Sequence, residues 1–172
     1  MVRAMPYPAV LVVMGVSGSG KTTVAGLLAG RLGWEFIDAD DFHTAANVRK
    51  MRGGAPLTDA DRVPWLATVA AWVDATRGTG RRGVLACSAL RRAYRHVLVG
   101  TRPDVRLIYL HGSRALIAER QAGRHNHYMP ASLVDSQFAT LEEPGPPEYP
   151  LTISVESRPP AIVDAILRGL EP

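Results

Sequence analysis

Gly15-Val16-Ser17-Gly18-Ser19-Gly20-Lys21-Thr22 is the stretch on which the fold turns. It matches the pattern G-x-x-x-x-G-K-[ST] at every fixed position. Glycines let a backbone turn its N–H groups inward around a phosphate. A helix opening at Lys21 would point its positive end at the same anion. Lys21 places a cation on the outer phosphates, and the Thr22 hydroxyl suits a magnesium ion. These eight residues and Thr23 are therefore the expected nucleotide-binding residues. Context separates the motif from a chance glycine-rich turn. It follows the apolar run Ala9–Met14 and opens a helical pattern, the strand–loop–helix setting that the chemistry requires.

Working outward, Val10–Met14 reads as a buried strand and Thr22–Leu32 as a helix. Trp34–Asp38 is a second strand. The polar stretch from Ala39 to about Thr58 holds a short helix around Ala45–Met51. Thr58-Asp59-Ala60-Asp61 has capping-box spacing and opens a long helix from Asp59 to about Thr76. Gly78 and Gly80 end it. Next come a strand at Gly83–Cys87, a helix at Leu90–Val99 and a strand at Val105–Leu110. Ser113 caps a helix through about Ala122, and another helix covers Ala131–Leu141. Leu151–Val155 is the fifth strand and Ala161–Leu170 the closing helix. This alternation predicts βαβ units and an α/β fold of three layers. A five-stranded parallel sheet would carry helices on both faces, in one domain over residues 1–172. The proline-rich Glu142–Pro150 is a surface connection.

The bulk numbers agree. The chain has 172 residues, 47% hydrophobic and 21% charged. That excludes a disordered chain and allows one domain with a real core. A net charge of +4 suits a small polyanion. It is no dense basic stripe, so no nucleic-acid partner is expected. The run before the glycine loop is too short for a signal peptide. No stretch approaches the ~20 apolar residues of a membrane helix, so no membrane partner is expected. The single cysteine, Cys87, allows no intrachain disulfide. A reducing, cytoplasmic location is the expectation. Cys87 itself sits in an apolar run and reads as a small core residue.

Asp38-Ala39-Asp40-Asp41 closes the second strand, at the edge where open α/β sheets gather their ligands. A carboxylate there can reach a metal or take a proton from a substrate hydroxyl. Asp40 is the candidate base and Asp41 the alternative.

Several stretches are similar to one family. Val13–Thr22 is one. Phe36-Ile37-Asp38-Ala39-Asp40-Asp41-Phe42-His43 is another, with Asn47, Lys50 and Met51 after it. The most distinctive is Gly54-Ala55-Pro56-Leu57-Thr58-Asp59-Ala60-Asp61-Arg62-Val63-Pro64-Trp65-Leu66. Cys87–Arg95, Ser136-Gln137-Phe138, Leu141-Glu142 and Pro144 complete the set. From about Val10 onward the chain resembles the gluconokinases, P-loop small-molecule kinases related to the shikimate and nucleoside monophosphate kinases. The resemblance implies a P-loop kinase fold with a small lid over about 120–135. It implies transfer of a phosphoryl group from ATP, with Mg²⁺, to the terminal hydroxyl of D-gluconate. It also implies a homodimer.

Under that resemblance Asp38 sits nearer the magnesium. Arg120 and Arg124 resemble lid arginines that close over the phosphates, and their spacing of four puts both on one helix face. Arg120 is thus both a catalytic and a nucleotide-binding candidate. An arginine reaching the transferring group is worth roughly 10³–10⁵ in rate. A sugar acid needs cations and neutral donors. Arg91 and Arg95 are favoured for it, with His43, Lys50, His127 and Gln137 behind them. Arg62 is expected to pair with Asp59 or Asp61, and Trp65 to anchor packing. The adenine pocket is expected near Ser157–Pro160. Two positions depart from the family: Asn126 stands where a glycine precedes the lid histidine, and Thr44 where a proline follows the first histidine. Competing readings are a shikimate kinase, which the Pro-Leu-Thr-Asp segment speaks against, and a non-catalytic nucleotide switch.

Overall fold

The computed structural model describes residues 7–123 and 131–171. In chain order the elements are β1 (Val10–Met14), α1 (Lys21–Leu32), β2 (Glu35–Asp38), a 3-10 turn (Ala39–Phe42), α2 (Ala45–Arg52) and α3 (Asp59–Gly78). There follow β3 (Gly83–Ala86), α4 (Arg92–Leu98), β4 (Val105–His111), α5 (Arg114–Ala122) and α6 (Ala131–Thr140). A second 3-10 turn (Pro146–Glu148), β5 (Leu151–Ser154) and α7 (Pro159–Leu170) complete the chain.

All five residues of β1 are apolar and fully buried. Such a run, without polar alternation, belongs in a sheet covered on both faces. β1 accordingly lies at the centre of a parallel sheet ordered β2-β3-β1-β4-β5. Its side chains alternate between two cores. Leu11 and Val13 face Val24 and Leu28 of α1 and Ile162 and Ile166 of α7. Val10, Val12 and Met14 face Trp65, Val69 and Val73 of α3 and Leu98 of α4. The expected three-layer α/β architecture is present, and Cys87 is a buried core residue. Among the described residues no helix is long and apolar enough to cross a membrane.

Local chemistry sets the element ends. Gly20 stands at φ 91 before α1 and Gly33 at φ 68 after it, left-handed values that glycine adopts without strain. The Thr58 hydroxyl accepts from the Asp61 N–H, and the Asp61 carboxylate accepts from the Thr58 N–H, so the expected capping box opens α3. Ser113 caps α5 by accepting from the Leu116 N–H. Thr44 caps α2 by accepting from the Asn47 N–H at 3.1 Å. A proline side chain there has no such acceptor, so this departure from the family adds a cap. One expectation fails: α4 begins at Arg92, not Leu90. Ala89 takes a left-handed φ of 46 and Arg91 is extended, which excludes both from a helix.

Two ion pairs tie α3 to the loop before β4. Arg102 reaches Asp74 with Nε at 2.6 Å and Nη2 at 2.8 Å. Arg77 Nε reaches Asp104 at 2.5 Å. The hydrogen bond from Arg102 holds the Asp74 carboxyl down from 3.8 to about 2. A folded-state pKa below the unfolded one means that the folded chain binds fewer protons there. The stability from Asp74 is therefore complete above about pH 4. It drains away as the pH falls from 3.8 toward 2. Thermal melts between pH 5 and pH 2 should show this loss, and Asp74→Asn should flatten that part of the curve.

Candidate active site

Parallel register brings three strand ends together. Asp38 at the end of β2 pairs with Ala86 at the end of β3, and Ala86 with Val13 of β1. The Cys87 N–H donates to the Val13 carbonyl at 3.0 Å, and the Gly15 N–H to the Ser88 carbonyl at 3.4 Å. The loop Gly15–Gly20 thus rises from the centre of the sheet, beside the residues that follow β2 and β3. A cleft of about 170 Å³ opens there, lined by Lys21, Thr22, Asp38, Asp40 and Ser88 among others.

The polar groups in this cleft form a short chain. The Thr22 hydroxyl donates to Asp38 Oδ2 at 2.8 Å. Asp38 Oδ1 accepts the Asp40 N–H at 2.9 Å and so caps the 3-10 turn. The Asp40 carboxylate is left 81% exposed and faces the cleft. Crowding by the surrounding protein nevertheless raises its pKa, and the Asp38 charge adds to this, while His43 and Lys21 pull the other way. Asp41 lies on the same turn but does not line the cleft. Lys21 Nζ donates to the Val16 carbonyl at 3.0 Å, curled over the loop it belongs to.

A magnesium ion fits the donor set. A threonine hydroxyl and a carboxylate oxygen already meet across 2.8 Å, the kind of oxygen pair that magnesium shares with phosphates and water. Among the described residues no group of three or more His, Cys, Asp or Glu is gathered as a metal cage. Thr22 and Asp38 are accordingly the residues that would hold it.

Helices α5 and α6 brace the loop from the other side. Gln137 Oε1 accepts the Ser17 N–H at 3.0 Å. The structure thus puts Gln137 against the phosphate loop rather than at a sugar-acid site. Gln121, 3% exposed, lies against Gly18 so closely that a Cβ there would fall 2.3 Å from its amide nitrogen. With φ at 87 as well, a side chain at position 18 would be strained and would have to displace Gln121. Beyond the loop a cavity of about 350 Å³ runs between Thr23, Arg120 and Ser157–Pro159. This is where the adenine pocket was expected. Arg120 donates to the Val155 carbonyl, holding the β5–α7 connection.

The expected sugar-acid residues separate. Arg91 is half-exposed, with Nη1 3.6 Å from Asp59 Oδ2. Tyr94 donates a short bond to the same Asp59. Arg62 is not the partner of Asp59 or Asp61. Its Nη1 donates to the Leu57 carbonyl at 2.8 Å and to the Tyr94 hydroxyl at 3.4 Å. Lys50 is engaged by Asp61 Oδ2 at 2.5 Å, beside the α3 cap. His43 is stacked on Trp65. Arg124 and His127, and the departure at Asn126, lie outside the described residues.

Arg95 is the clear correction. It is 2% exposed and cannot reach a ligand. Its Nε and Nη2 bind both carboxylate oxygens of Glu148 at 2.7 and 3.1 Å. Its Nη1 donates to the carbonyls of Ala89 and Leu90 at 2.9 and 3.1 Å. Burial alone would push Glu148 up, but Arg95 overcomes that and holds it below its ordinary value. Helix periodicity places Arg95 one turn after Arg91, but Arg91 precedes the helix in extended backbone, so the two do not share a face. A further cavity of about 340 Å³ is lined in part by Arg95, at the start of β4 and hence at the other end of the sheet. Its Arg95 and Arg102 are tied to Glu148 and Asp74, and the loop chemistry is elsewhere.

A glycine-rich loop between a buried strand and a helix, with carboxylates at the next strand end, defines a P-loop phosphotransferase. A family profile described as an AAA domain matches residues 10–144. A gluconokinase of Gluconobacter oxydans is 48% identical over 164 residues, 95% of this chain and 92% of that protein. The crystal structure of a gluconokinase from Sinorhizobium meliloti superposes with a TM-score of 0.83 at 40% identity, covering 98% of this chain and 93% of that one. A shikimate kinase from Bacteroides thetaiotaomicron shares the fold at 16% identity, with a TM-score of 0.67 and coverage of 95% and 99%. The chain belongs to the gluconokinase family.

The Arg95 assignment has a measurable consequence. Arg95→Leu strands the Glu148 carboxylate in a nearly closed site and should cost about 3 kcal/mol. For a chain of this size that is a fall of roughly 6–12 °C in Tm. Arg91→Leu breaks an exposed pair and should move Tm by no more than about 3 °C. Calorimetry or a dye-based melt separates the two.

Proposed function

We propose that this chain transfers the γ-phosphoryl group of ATP to the terminal hydroxyl of D-gluconate, giving 6-phosphogluconate and ADP. The observation that carries the reading is one juxtaposition. Lys21, the Thr22–Asp38 pair and the open Asp40 carboxylate share a single cleft at the sheet's ligand edge. Relatives named gluconokinase support the choice of acceptor.

Phosphoryl transfer asks for positioning and charge neutralisation more than covalent work by the protein. The N–H groups of the Gly15–Thr22 loop and of Thr23 cradle the phosphates, and Lys21 leaves the Val16 carbonyl to meet the outer ones. Thr22 and Asp38 would hold a magnesium ion, which would supply neutralisation of the phosphate charge. Asp40 takes the proton from the terminal hydroxyl as its oxygen bonds to phosphorus, and the bond to the ADP oxygen breaks. Arg91 offers a cation to the gluconate carboxylate, and Lys50 and His127 are further candidates. Arg120 lies by the nucleotide cavity, and Arg124 is assigned to the lid on the family resemblance. That resemblance also assigns a homodimer, which sedimentation would check, and the single cysteine fits a cytoplasmic location.

The test is Mg·ATP-dependent ADP release with gluconate, shikimate, glycerate and AMP, with product masses measured. Release with gluconate alone, and a product one phosphoryl group heavier, is expected. Release only with another acceptor would overturn the substrate. ATP binding without release in any mixture would favour a nucleotide switch. Asp40→Asn should lower turnover by roughly 10²–10⁴ while ATP binding is kept. Lys21→Ala should impair both. Near-normal turnover in Asp40→Asn would remove Asp40 as the base.

A further inference from the structure

We propose that His43 is a positioning residue for the phosphoryl-transfer reaction: held by Asn47 and Trp65, it orients the Asp40 carboxylate so that one oxygen stays free for the acceptor hydroxyl. This rests on the reading of Asp40 as the base. It also moves His43 out of the group that touches the sugar acid.

The His43 side chain is only 6% exposed, so it offers no open edge to a ligand. Its ring stacks on Trp65, with centroids 4.3 Å apart and planes 15° from parallel. Trp65 is itself fixed. It is 6% exposed, and its Nε1–H donates to the Ala39 carbonyl at 2.7 Å. Ala39 opens the 3-10 turn that carries Asp40. The indole therefore holds the imidazole and the turn bearing the carboxylate in one rigid unit.

Asn47 decides which imidazole nitrogen carries the proton. It is a buried side chain on α2, 4% exposed. Its Nδ2 donates to the Asp61 carbonyl at 3.0 Å, which tells the amide nitrogen from the oxygen. The second hydrogen of Nδ2 faces His43 Nδ1 at 3.5 Å. Nδ1 must then accept, and the proton sits on Nε2. Nε2 lies 3.7 Å from Asp40 Oδ1. That is too long for a closed hydrogen bond. It is close enough for the N–H dipole to favour one rotamer of an exposed carboxylate, and a small rotation closes the gap. Burial lowers the His43 pKa and Arg62 pushes the same way against Asp40, so the ring faces Asp40 as a neutral donor. A full positive charge would hold the carboxylate as an ion pair and weaken it as a base.

The experiment is a double-mutant cycle between His43 and Asp40, read as separate kcat and KM values for gluconate and ATP. His43→Phe keeps a planar ring on Trp65 but has no N–H. It should keep the thermal transition and lower kcat by roughly 10–100-fold, the scale of a misplaced reacting group. Both KM values should stay within about twofold. His43→Gln, which restores an amide N–H, should recover part of the loss. In an Asp40→Asn background His43→Phe should lower the residual turnover no further. Unchanged kcat in His43→Phe would overturn the inference. So would a raised KM for gluconate at constant kcat, which marks a substrate ligand, or an equal loss with and without Asp40. If His43→Phe loses its thermal transition, Asn47→Ala takes its place in the cycle. It frees the tautomer without touching the cleft, and unchanged kcat there would overturn the proposal as well. Failure of the base assignment is read separately, from Asp40→Asn alone.

Discussion

Everything in the site hangs on the burial of β1. A strand whose side chains are apolar on both faces has one place to go, the centre of a covered sheet. Once there, β1 needs helices on each side, and α1 with α7 and α3 with α4 supply them. Its C-terminal end must then emerge at the middle of the sheet edge. Parallel neighbours bring their own C-terminal ends to the same edge. The phosphate loop and the Asp38–Asp40 turn are adjacent for that reason, although 16 residues separate Thr22 from Asp38.

The cleft is held by layers of support of falling rigidity. The fully buried sheet is the first. The second is the pair of contacts that pin the 3-10 turn, Asp38 at its start and Trp65 on the Ala39 carbonyl. Buried hydrogen bonds of this kind, with both partners satisfied, fix one geometry rather than several. The Asp40 carboxylate is the outermost piece and the least held. In the base role proposed for Asp40, that freedom helps only if something selects the orientation of the carboxylate. The opposite wall is built differently. Gln121 of α5 and Gln137 of α6 touch Gly18 and Ser17.

Arg95 shows how a motif can mislead. Its place after β3 points to ligand binding, and its surroundings are polar enough to agree. Glu148, 53 residues further on, instead closes over it. The guanidinium then stitches the 3-10 turn before β5 to the carbonyls of Ala89 and Leu90. Ala89 holds a left-handed φ of 46 there. Arg95 thus stabilises a strained connection that borders the cleft, without entering it.

The amino-acid sequence alone determined the α/β class, the five parallel strands, the phosphate loop, the α3 capping box and the Asp38–Asp41 turn. Each is written in contiguous residues, so periodicity, glycine placement and capping spacing are enough to read it. It also carried the family resemblance, through the run from Gly54 to Leu66. The strand order, and with it which polar groups meet, was decided by tertiary structure. Gln137 against Ser17 spans 120 residues, Arg95 against Glu148 spans 53, and Trp65 against Ala39 spans 26. No local pattern encodes such pairings, because they arise when helices and loops distant in sequence settle against the same part of one sheet. His43 is the sharpest case. Its neighbours in sequence mark it as polar and ligand-like, and only the approach of α3 turns it into a buried ring between Trp65, Asn47 and Asp40.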